Sequence, residues 1–144
     1  MTVETVGGAP RPLHPEIDEA MIERLVRHFY ARIRRTPDLG PIFEAVVQDR
    51  WEPHLRIMMD FWSSVMLMSG RFKGQPMQRH QALRALRPEH FQTWLALFSS
   101  SANEICPPDI AALFVDRAER IARSLQLGMF GPPELSLARR KEAP

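Results

Sequence analysis

A chain of 144 residues is long enough for one domain with a real hydrophobic core and too short for two, so metal or disulfide staples are not required. Its 44% hydrophobic and 25% charged residues are those of an ordinary globular protein, which excludes wholesale disorder. Lysine and arginine total 19 against 17 acidic residues, a net charge of +2, and the basic residues, nearly all arginine, are spread among acids, which argues against a nucleic-acid surface.

Residues 1–14, rich in glycine, proline and small polar groups, read as a flexible tail, and residues 131–144 read the same way. The folded domain is expected between them, over 15–130. The N-terminus has no basic start followed by an apolar run, so it does not read as a secretory signal. No apolar stretch approaches the roughly 18 residues needed to span a bilayer. A single cysteine, Cys106, allows no intramolecular disulfide; it points to a reducing, cytoplasmic setting and to a role as a small apolar packing residue.

From Pro15 to Arg35, Ile17, Met21, Ile22, Leu25, Val26, Phe29 and Ile33 recur at spacings of three and four, which predicts an amphipathic helix with Pro15 in its first turn. "TPDLGP" at 36–41 is turn chemistry, and 36–50 is expected to be irregular. A second helix is predicted from about Trp51 to Met68, with Trp51, Leu55, Met58, Trp62 and Val65 on one stripe. "SGRFKGQP" breaks it, and the piece from Pro76 to Leu86 should be only partly regular. A third helix is expected from Pro88 to Ile105, carried by Phe91, Trp94, Leu95, Phe98, Ala102 and Ile105. "CPPD" then interrupts the pattern and offers Asp109 as a cap for a fourth helix, on which Ile110, Leu113, Phe114, Ala118, Ile121 and Leu125 form the stripe. No segment alternates with period two, so the fold class is all-α. Segments as long as 36–50 and 69–87 between helices usually carry function or wrap a ligand.

His54 and Met58 are four residues apart and share a helix face that Trp62 continues. Tyr30 and Trp94, aromatic residues with polar tips, lie beside the apolar stripes of two other helices. Phe43 closes the "GPIF" turn, and His80 follows a glycine and a proline in "GQPMQRH". Taken in order, "HFYARIR", "DLGPIF", "WEPHLRIMMDFW", "GQPMQRH" and "FQTWLALF" resemble the truncated, two-over-two haemoglobins of bacteria, and among them the third group. The resemblance covers roughly residues 16–130, and the double-glycine motifs of the first group are missing.

The resemblance implies a globin fold around haem b, iron protoporphyrin IX, with His80 as the proximal histidine on the iron and Phe43 packed on the haem face. It makes Tyr30 and Trp94 the distal donors and His54 the distal histidine, facing the iron or swung out as a gate. Met58 and Trp62 are pocket candidates, with Phe98 beside them. Arg79, directly before His80, is a candidate partner for a haem propionate, since a guanidinium matches carboxylate geometry. The chemistry asks for these residue types on its own account. A neutral imidazole is a strong iron ligand, and a single proximal histidine leaves the opposite site open to a diatomic gas. A ligand that draws electron density from ferrous iron is stabilised by a phenol O–H and an indole N–H held in a dry pocket.

Three functions compete at this point. The first is a haem globin binding oxygen, NO and CO, in oxygen or NO chemistry or protection rather than bulk transport. The second is a haem enzyme, a nitric oxide dioxygenase or peroxidase-like catalyst. With no glycine-rich dinucleotide fingerprint in the chain, it would draw electrons from a separate reductase. The third is a cofactor-free helical interaction module, which explains the amphipathic helices but not the set of His80, Tyr30, Trp94 and Phe43. His14, His28 and His90 are read as structural.

Overall fold

The computed structural model describes residues 13–74 and 85–131. Among them the chain forms five α-helices and no strand: α1 (Glu19–Arg35), α2 (Gly40–Val47), α3 (Trp51–Leu67), α4 (Pro88–Ile105) and α5 (Pro108–Phe130). Helix α1 packs against α2, α3 and α4, and α4 packs against α5.

The apolar spacing read in α1 becomes its buried face: Ile22, Leu25, Val26, Phe29, Tyr30 and Ile33 all lie inside. The helix starts later than Pro15 because Asp18 caps it, its carboxylate accepting from the Met21 amide at 2.9 Å. Leu13 and His14, at the end of the expected N-terminal tail, are bonded to the body of the protein. The Leu13 amide donates to the Met66 carbonyl at 2.9 Å, and the His14 ring lies 3.0 Å from the Asp109 carboxylate.

The segment 36–50, expected to be irregular, contains α2. Gly40 and Pro41, read as turn residues, occupy its first turn, where a proline loses no hydrogen bond that a helix would otherwise make. Gly40 is required for a further reason: a Cβ there would sit 2.7 Å from the Arg34 carbonyl oxygen. Only a residue without a side chain lets α2 start this close to the end of α1. Phe43 therefore lies within a helix rather than in a turn.

Helix α4 spans the expected residues. The His90 ring accepts from the Arg87 amide at 2.9 Å, closing the start of the helix. Helix α5 begins at Pro108, so Asp109 stands in its first turn rather than at the cap, where its charge still favours the positive end of the helix dipole. The two long helices share a core in which Phe98, Ala102, Ile110, Phe114 and Ala118 are almost wholly removed from solvent. Cys106 is buried between them, and burial raises its thiol pKa, consistent with a packing role. No helix among the described residues is long and apolar enough to cross a membrane.

Candidate functional site

Tyr30 projects from the buried face of α1, five residues before the helix ends. Its ring meets Phe43 of α2 at 6.2 Å between centroids. His54 of α3 stands edge-on to it at 5.3 Å and 88°. Trp51, one turn before His54, completes the group at 6.2 Å from Tyr30 and 5.6 Å from His54. Three short sequence motifs on three helices thus converge on one aromatic cluster.

A second cluster lies on the α4 side. Phe98 is stacked against Trp62 at 5.0 Å and 15° and against Trp94 at 5.8 Å and 12°. Phe29 joins the two clusters, with its ring 5.0 Å from Tyr30, 5.5 Å from Trp94 and 5.1 Å from Phe98. Edge-to-face and offset-stacked contacts of this kind fix ring orientation beyond what area burial supplies. Met58 is buried on α3 one turn after His54, and Trp62 is buried one turn further on, where it also meets Phe114 of α5 at 5.7 Å.

Six of the eight site residues expected from sequence therefore sit on one continuous aromatic and apolar body: Tyr30, Phe43, His54, Met58, Trp62 and Trp94. His80 and Arg79 lie outside the described residues. Among the described residues no group of three histidine, cysteine or acidic side chains could hold a metal ion. His28, read as structural, is tied to α4: its ring lies 3.0 Å from the Ser101 hydroxyl and 3.4 Å from the Glu104 carboxylate.

The polar tips of the cluster decide what it can do. Tyr30 is 4% exposed and Trp94 is 9% exposed, so a phenol O–H and an indole N–H are carried on the buried faces of α1 and α4. Two such donors, with a histidine beside one of them and apolar walls around both, form a donor set suited to a small polar ligand carrying partial negative charge. Those residue types fit the haem pocket that the resemblance to truncated haemoglobins implies.

Burial also drives the Tyr30 pKa well above the ordinary phenol range, because a phenolate would be stranded in low dielectric. The hydroxyl therefore remains a donor throughout the physiological range. The sign of the linked stability follows. The folded state holds this proton more tightly than the unfolded chain, so stability is intact below about pH 10 and is lost as the pH rises above it. Tyr30 is the only tyrosine in the chain, so the phenolate band in the near ultraviolet reports it alone. The expected result is an ionisation displaced to higher pH than free tyrosine and accompanied by unfolding; an ordinary, reversible titration near pH 10 would place the hydroxyl in water.

Sequence reasoning missed the outer wall of this cluster. Trp51 appeared only as a stripe residue, whereas its indole N–H donates to Glu44 Oε1 at 2.8 Å. Arg34 donates through Nε to the same oxygen at 3.0 Å, and its guanidinium carbon lies 4.4 Å from the centre of the Trp51 ring. The available signal was the three-residue step from Trp51 to His54, which places both on neighbouring positions of one helix surface.

No protein-family model matches the chain. A curated relative, the group 3 truncated haemoglobin of Campylobacter jejuni, is 32% identical over 76% of this chain and 89% of the relative. The crystal structure of a group III truncated haemoglobin from Campylobacter jejuni superposes with a TM-score of 0.76 at 30% identity, covering 81% of this chain and 94% of that one. The fold and these relatives define a globin of the short, two-over-two type, all-α and haem-binding. More narrowly, the chain belongs to the group III truncated haemoglobins.

Proposed function

We propose that this globin binds haem b through His80 and takes up oxygen, NO and CO on the side lined by Tyr30, Trp94 and His54. The observation that carries this reading is the convergence of Tyr30, Trp94 and His54, from three helices, on one buried aromatic body. When bound, haem supplies a ferrous iron whose open position reversibly accepts a diatomic gas. The chain's own residues set the environment. The neutral Tyr30 phenol and the Trp94 indole donate toward the ligand, and His54 stands beside the phenol. Phe43, Met58 and Trp62 supply apolar surface that keeps water out, which strengthens each polar contact inside. Arg79 is assigned to a haem propionate on the chemistry of guanidinium and carboxylate.

Several donors on one small ligand favour retention over release. The proposed role is therefore oxygen or NO chemistry, or protection, rather than bulk transport. Repeated oxidation of NO by oxygen at such a haem would need one electron per cycle from outside, so the proposed partner is a reductase. A lone buried cysteine suits a cytoplasmic setting.

Oxygen dissociation from the haem-loaded protein tests the reading. A hydrogen bond to a charged or partly charged group contributes about 1.5–3 kcal/mol, so Tyr30→Phe is expected to speed dissociation by about 10- to 100-fold. An unchanged rate in Tyr30→Phe, with the haem bound as in wild type, would remove Tyr30 from the ligand.

A further inference from the structure

Glu44 belongs to none of the motifs discussed above, yet it is the point where three helices meet next to the distal cluster. It sits on α2 directly after Phe43. One of its carboxylate oxygens, Oε1, accepts both the Trp51 indole N–H from α3 at 2.8 Å and the Arg34 Nε–H from α1 at 3.0 Å. Arg34 then folds over the face of the same indole at 4.4 Å, so the Trp51 ring is held at its edge by an anion and on its face by a cation. The inner side of that ring touches His54 edge-on and Tyr30.

We propose that Glu44 is a positioning residue for the distal group: by clamping Trp51 it fixes the orientation of His54 and Tyr30 and so controls how fast a diatomic ligand escapes. This inference rests on the assignment of Tyr30 and His54 to the ligand side. The physical reasoning is short. An indole pinned at both edge and face has one orientation. A ring of that size packed perpendicular to the His54 imidazole leaves the imidazole little room to rotate. Without the carboxylate, the indole N–H and the guanidinium lose their common acceptor and turn to water, and the Trp51 ring is free to tilt. His54 then gains the room to swing away from Tyr30. The exposure of Glu44 and Arg34 on the outer side, 44% and 46% of their side chains, makes their ion pair a weak contributor to global stability. What the carboxylate controls is orientation.

The test uses the haem-loaded full chain in four forms: wild type, Glu44→Ala, Glu44→Gln and Tyr30→Phe. Two readouts are taken, the oxygen dissociation rate and the NMR signals of the His54 and Tyr30 rings in the carbonyl complex. Couplings carried through packed side chains are worth about 0.5–2 kcal/mol. Glu44→Ala is therefore expected to speed dissociation by about 3- to 30-fold and to shift or broaden both ring signals. Glu44→Gln keeps an acceptor for the indole N–H and should return most of the rate and the signals toward wild type, a rescue that loss of a surface ion pair alone would not show. Unaltered ring signals in Glu44→Ala overturn the proposal. So do altered signals with a dissociation rate within about twofold of wild type, provided that Tyr30→Phe speeds release, because ring orientation would then have no hold on the ligand. If Tyr30→Phe itself leaves the rate unchanged, the ligand-side assignment fails and takes the inference with it, a result distinct from the first two.

Discussion

Replacing His80 by glycine is expected to abolish stable haem retention, and added imidazole should restore it. The argument is one of ligand count. A globin pocket holds its iron through one protein nitrogen, and deleting that nitrogen leaves only apolar contact and the propionate partners to hold the group. Perturbing residues that merely orient a metal ligand lowers affinity by about 10- to 100-fold, so loss of the ligand itself should exceed about 100-fold. Glycine leaves a space of the size and shape of the imidazole ring, which free imidazole can fill from solution. The measurement is haemin affinity with and without imidazole, read from the absorption spectrum. Retention of wild-type affinity in the variant would move the proximal role away from His80. Loss without rescue would indicate that the substitution damages the pocket rather than the bond.

The second large effect is on stability. Phe98 is 1% exposed and stacks with both the Trp62 and Trp94 rings, with Phe29 in an edge contact. Its truncation to alanine removes the ring through which Trp62 of α3 meets α4. The three aromatic neighbours make further ring contacts of their own and cannot collapse into the space. Large cavities of this kind cost about 3–5 kcal/mol, a large part of the roughly 5–15 kcal/mol typical of a small domain. Denaturant unfolding of the haem-free chain gives the comparison without ligand linkage. The expected outcome is a large drop in midpoint for Phe98→Ala and a smaller one for Phe98→Leu. A loss below about 1 kcal/mol for Phe98→Ala would mean that the stack relaxes around the missing ring.

The long helices were legible because their apolar residues recur every three to four positions over several turns, and packing followed that pattern. The buried face of α1 runs from Ile22 to Ile33 as the spacing requires, and the limits of α4 were marked by Pro88 and the "CPP" break. Helix α2 was hidden because its eight residues span too few turns for periodicity to show, and because glycine and proline open helices as readily as they make turns. Asp18 took the cap of α1 from a start marked by Pro15, since a carboxylate that accepts an orphan amide outweighs a fixed φ angle.

At the site, Tyr30, Phe43, His54 and Trp94 stood out through the resemblance to truncated haemoglobins, and the structure places all four on one aromatic body. The brace of Arg34, Glu44 and Trp51 did not stand out. Its members come from three helices, ten and seven residues apart along the chain, and each reads locally as a surface charge or a core ring. Only the close approach of α1 and α2 at Gly40 brings them together, and a sequence pattern carries no record of that approach.

The central claim, a histidine-ligated haem globin, is tested most directly by titrating the purified chain with haemin, reducing it, and adding carbon monoxide. The account predicts uptake that saturates at one haem per chain and a carbonyl absorption spectrum of the histidine-ligated type. A titration with no break, or a carbonyl spectrum characteristic of free haem, would contradict it.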